Sequence, residues 1–196
     1  MCKNVLQQWD KFMMTKFSWI FLIAGNLLMV YVMTSTGKSL KNPATPLGII
    51  NLELAGNAAD VQNILNAWDN DISKNSDVIA DAKRNTWLDF IFLLFYTSLF
   101  YFLCKKLVGY FKPGSLWIRL ANIVTMCAIA AGLLDVVENI GMLKSLNGNV
   151  SDTTALVTAA CSTVKWLLVF ITVIFLVTGY AYKILFLKDK ALYLNG

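Results

Sequence analysis

Residues 117–143, WIRLANIVTMCAIAAGLLDVVENIGML, hold the decision about this fold, because a membrane-length apolar run ends with Asp135, Glu138 and Asn139 still inside it. A bilayer's hydrocarbon core is about 30 Å thick and takes roughly 20 apolar helical residues to cross. This run has the length of a span, and it also carries two carboxyl groups and an amide near one end. What those polar groups do there is the question the rest of the chain has to answer.

Three further segments have the same length and character: Phe17 to Thr34, Trp87 to Val108, and Ala155 to Phe186. The whole chain of 196 residues is 57% hydrophobic and 15% charged, with a mean hydropathy of +0.59. That is too apolar for a soluble domain with a polar surface. Lipid leaves backbone groups unsatisfied unless the segment is a helix or a closed barrel, and these runs lack the period-2 alternation of barrel strands. The expected fold is therefore all-α: a single membrane domain, 1–196, built as a four-transmembrane-helix bundle with helices at 17–34, 87–108, 117–143 and 155–186.

The basic residues give the expected orientation. Lys3, Lys11 and Lys16 precede the first span, Lys105, Lys106, Lys112 and Arg119 surround the connection between the second and third, and Lys183, Lys188 and Lys190 follow the fourth. The opposite short connection, 144–152, carries only Lys144. By the positive-inside rule both termini are expected to be cytoplasmic and the 35–86 loop extracytoplasmic. The sequence pI near 9.0 has the same origin. Nucleic acid is not expected as a partner, since the positive residues are scattered over three segments and not interleaved with exposed aromatics. The first span has a basic leader but no A-x-A-like cleavage site, which reads as an uncleaved anchor.

The 35–86 loop is expected to hold two helices. In the first, Thr45 caps a helix starting at Pro46 and Gly56 stops it. In the second, Asn57 and Asp60 form a cap pair, and Val61, Ile64, Leu65 and Trp68 share one face of an amphipathic helix. That stripe suits packing over the mouth of the bundle, with Trp68 as a ligand-facing candidate. The polar stretch from Asp69 to Arg84 is expected to extend the second long helix. Ser115 is the expected cap of the third.

Several chemistries are excluded. The chain has no histidine, which removes His-ligated zinc or haem and Ser-His or Cys-His catalysis. Cys2, Cys104, Cys127 and Cys161 form no CxxC and lie at different depths, so they read as packing residues. Thr36-Gly37-Lys38-Ser39 looks like the end of a P-loop, but Val32 stands where that motif needs glycine. No metal or cofactor is expected. Asn149-Val150-Ser151 is a glycosylation sequon, relevant only in a eukaryotic secretory cell.

Counting helix lengths from the basic ends places Asp89, Asp135 to Asn139, and Lys165 at one depth on three helices. Ala121, Thr125, Ala128, Gly132, Asp135 and Asn139 form a small and polar stripe of the kind that lets helices approach closely, and Thr158, Cys161, Lys165 and Thr172 form a comparable one. The stripes are expected to face each other, with Lys165 paired to Asp135 or Glu138 so that no charge is left alone in an apolar setting. Glu53 joins the group if the helix from Pro46 dips into the bundle.

The stretches TPLGIINLELAG and LLDVVENIGML together resemble segments of small bacterial integral membrane proteins with four predicted helices. The resemblance implies a bacterial inner-membrane origin and no particular activity. Three functions follow as expectations. In the first, Glu138 or Asp135 is an acid or base, Lys165 stabilises negative charge, and Asp89, Asn139, Glu53 and Trp68 contact a lipid or an amphipathic or cationic small molecule. The second is a proton- or cation-coupled carrier or channel subunit, which needs a homo-oligomer because four helices leave little room for a pore. The third is a non-catalytic assembly partner.

Overall fold

A computed structural model describes residues 16–71 and 77–187 of the chain. Cys2, Lys3, Lys11, Lys188 and Lys190, which bear on orientation and lipidation, lie outside the described residues, as do residues 72–76 of the polar extension. Among the described residues there are six α-helices and no strand. We label them α1 (Lys16–Thr36), α2 (Ile49–Glu53), α3 (Ala58–Asp69), α4 (Val78–Val108), α5 (Leu116–Leu146) and α6 (Asp152–Tyr182). A 3-10 turn, Gly37–Leu40, follows α1, and a π turn, Lys183–Leu187, follows α6.

The four long helices, α1, α4, α5 and α6, are each long and apolar enough to cross a membrane by length and composition. Their outer faces carry large exposed apolar side chains, such as Phe21, Leu94, Ile123 and Phe170. α5 packs between α4 and α6, and α1 packs on the outside of α4. The small residues explain the closeness. A side chain at Gly132 would run into Thr97 of α4, and one at Gly141 would run into the Thr158 hydroxyl of α6. Gly25 gives α1 the same closeness to Phe95, and Asn26 Nδ2 donates to the Phe95 carbonyl across that contact at 3.1 Å.

Two apolar clusters close the ends. At the loop end, Leu40, Leu52, Val61, Trp68, Val78, Met142 and Leu146 pack together, so α2 and α3 form a cover over the bundle. At the opposite end, Cys104, Leu107, Phe111, Val124, Phe175 and Leu176 fill the space between α4, α5 and α6. Cys104, Cys127 and Cys161 are free thiols.

Local signals account for the cover. Asn57 Oδ1 accepts from the Asp60 amide at 2.8 Å, as the cap pair predicts. The Asp152 carboxylate reaches across to accept from the Ala58 amide at 2.8 Å, which ties the start of α3 to the start of α6. The expected helix from Pro46 does not form. Its first turns are replaced by a loop, because Gly48 has φ +65°, outside the right-handed helical region, and α2 begins only at Ile49. Thr45, expected as the cap, is instead buried under Trp68 and binds the Leu40 carbonyl at 2.8 Å. α2 is capped at Leu54, before Gly56 is reached. Ser115 precedes α5 but its hydroxyl makes no capping bond.

The long helices also begin before their apolar runs, α4 taking up residues 78–84 of the polar extension expected of it, while α6 ends at Tyr182, short of Phe186, in the π turn. α4 starts nine residues before Trp87, at Val78, where Asp77 Oδ1 accepts from the Ala80 amide at 2.9 Å. α6 starts at Asp152, with the Ser151 hydroxyl accepting from the Thr154 amide at 3.2 Å. These extensions raise α4 and α6 to the level of α3, giving the cover something to pack on.

Candidate functional site

The site is assembled from four helices. Asp135, Glu138 and Asn139 share a face of α5, separated by three and four residues. Lys165 projects from α6 toward them, Asp89 from α4, and Glu53 is the last residue of α2, directly below the cover. The Lys165 Nζ lies 2.8 Å from Glu138 Oε1, 3.1 Å from Asp135 Oδ1 and 3.8 Å from Glu53 Oε2. Asn139 Nδ2 donates to Asp89 Oδ2 at 2.8 Å. Glu138 and Asn139 are fully buried, and Lys165 is only 6% exposed.

Geometry thus brings Glu53, Asp89, Asp135, Glu138, Asn139 and Lys165 together. It does not bring Trp68. That side chain lies inside the loop-end core, where its Nε1 donates to the Leu40 carbonyl at 2.9 Å and to Thr45 Oγ1 at 3.0 Å. Trp68 holds the cover in place and does not face the space below it.

Four further residues complete the site. Tyr96 donates its hydroxyl to Asp135 Oδ2 at 2.7 Å. Ser162 and Trp166, on the Lys165 face of α6, donate to Glu53 Oε2 at 3.3 and 3.4 Å. Asn85 sits one turn before Asp89 and ties α4 to α1, its Nδ2 donating to Thr36 Oγ1 at 2.7 Å and to the Met33 carbonyl at 3.2 Å. The spacing Asn85, Asp89, Phe92, Tyr96 is one helical stripe. Extending that stripe from Asp89 would have found Asn85 and Tyr96 in the sequence, whereas nothing marked Ser162 or Trp166.

These groups border a cavity of about 400 Å³. Its walls come from α1 (Val30, Met33), α2 (Ile49, Ile50), α4 (Phe92, Phe100) and α6 (Trp166, Val169), and its polar patch is Glu53, Asn85, Asp89, Tyr96, Asp135 and Lys165. α1 packs on α4 and not extensively on α6, so the cavity lies where those two helices stand apart. A volume of this size suits a small molecule or a lipid segment.

Chemically, four carboxyl groups face one ammonium. Lys165 is held by two short contacts, an arrangement that compensates much of the cost of burying it. The remaining carboxyl groups are balanced by protons or by a positively charged partner. Among the described residues no set of three carboxylate or thiol side chains is arranged to hold a metal ion. Compared with known proteins, the chain matches no protein-family model, no curated protein and no solved structure.

Proposed function

We propose that this chain is an integral membrane protein of four spans, with both termini cytoplasmic and the α2–α3 cover extracytoplasmic, that binds a lipid or other amphipathic small molecule in the cavity beneath the cover. The orientation is supported by the lysine distribution and by its partners. Lys106 lies 4.6 Å from the centre of the Trp19 ring and Lys183 lies 3.4 Å from that of Tyr110, a basic and aromatic girdle at the end away from the cover.

One observation carries the binding reading: a charged network drawn from four helices forms one wall of a cavity whose other walls are apolar and aromatic. Such a space matches a molecule with a polar head and a hydrocarbon tail. The apolar cluster of Leu107, Phe111, Phe175 and Leu176 beyond it favours a dead-end site over a conducting path. The test is native mass spectrometry of the protein released from a mild neutral detergent. A lipid-like molecule retained by the wild type and lost in Val169→Trp, which narrows the cavity, is the expected result. Equal retention in both proteins, or none in either, contradicts it.

A further inference from the structure

We infer that the head group selected by this cavity is a protonated primary amine, seated between Glu53 and Asp89 and donating to Asn85 Oδ1. The inference rests on the cavity-binding reading and adds the chemical class of the ligand.

Donors and acceptors around the cavity do not balance. Inside the network, the donors of Lys165, Tyr96, Asn139, Ser162 and Trp166 are already engaged. Lys165 bonds Asp135 and Glu138, Tyr96 bonds Asp135, Asn139 Nδ2 bonds Asp89, and Ser162 and Trp166 bond Glu53. Acceptors are in surplus. Glu138 Oε2, Asn139 Oδ1 and Asn85 Oδ1 are buried and have no hydrogen-bond partner. Asn85 is the decisive case, because it is only 1% exposed and lines the cavity, and its Nδ2 is committed to α1. That commitment fixes the orientation of the amide, since the Met33 carbonyl accepts only from the nitrogen. The oxygen is the group left for a ligand, and it calls for an N–H or O–H donor.

Charge selects among donors. Asp89 and Glu53 both line the cavity, and Lys165 stands 3.8 Å from Glu53, closer to the other two carboxylates. A neutral hydroxyl would satisfy Asn85 but bring no charge to Glu53 and Asp89, which line the same cavity, and an anionic head would be repelled by them. A quaternary ammonium would balance the charge, yet it has no N–H to give. A primary ammonium supplies both the charge and three donors.

The test compares amphiphiles with one tail and different heads on the wild-type protein in a neutral maltoside detergent, by calorimetry: dodecylammonium, dodecyltrimethylammonium and dodecanoate. Dodecylammonium is expected to bind at least about tenfold more tightly than either of the others, the scale of one charge-assisted hydrogen bond. Asp89→Asn is expected to erase most of that preference. Equal or tighter binding of the trimethyl or carboxylate compound overturns the head-group assignment while leaving the cavity reading intact. Binding of none of the three overturns both. In nanodiscs of mixed ethanolamine and choline phospholipids, selective retention of the ethanolamine lipid would identify the bilayer as the source of the amine. Retention of neither lipid, with dodecylammonium still bound, would point to a free long-chain amine.

Discussion

The core around Trp68 and the network around Lys165 both bury polar side chains, and they differ in how donors and acceptors are matched. At Trp68 one indole N–H, one hydroxyl and one carbonyl satisfy each other, with Asn42 Oδ1 2.9 Å from Thr45 Oγ1. Around Lys165 four carboxyl groups and two amide oxygens exceed the donors present. A balanced polar cluster is a fastener. An unbalanced one, set on the wall of a cavity, is what the proposed ligand would complete.

The comparison breaks first at Lys165. Replacing it by alanine strands buried carboxyl groups and is expected to destabilise the protein by about 3–5 kcal/mol, measured by denaturant unfolding in detergent. Adding Asp135→Asn and Glu138→Gln is expected to restore most of that loss. No restoration would mean that Lys165 stabilises through packing alone.

Trp68→Phe comes next. It keeps the apolar ring but removes both indole N–H bonds, to the Leu40 carbonyl and to Thr45, while the Thr45–Leu40 bond survives, so a loss of about 1–3 kcal/mol is expected with amphiphile affinity unchanged. Weakened binding in the folded variant would show that the fastener also serves the site. Gly141→Ala probes the helix contact behind the network. Its new methyl meets the Thr158 hydroxyl, with an expected cost of about 1–3 kcal/mol that Thr158→Ala relieves. The smallest expected stability change is for Asp89→Asn. Half-buried and still able to accept from Asn139, it should shift unfolding by no more than about 1 kcal/mol while losing amine binding.

Much of this arrangement is legible in the sequence, and the reasons differ by element. The long helices announce themselves because a span needs an unbroken apolar run. Asp89, Asp135, Glu138, Asn139 and Lys165 are found by depth, since helices of fixed rise bring residues at equal distance from a boundary to one level. Glu53 follows only if the loop folds inward, and α2 makes it do so. The start of α2 is not legible, because a cap residue and a buried hydrogen-bond partner look alike, and Thr45 turned out to serve Trp68. Ser162 and Trp166 are hidden for a related reason. A serine or tryptophan on an apolar helix has no signature until its neighbour, here Glu53, arrives from another element.

The central claim is that an amphiphile lies in the cavity with its head at Asp89 and its tail along α4 and α6. Photolabelling with a long-chain primary amine carrying a diazirine in mid-chain, followed by peptide mapping, tests it directly. Labels on cavity residues such as Met33, Phe92 and Val169, lost in Asp89→Asn, are the expected result. Labels confined to outward residues such as Leu94 and Leu167, and indifferent to that substitution, would contradict it.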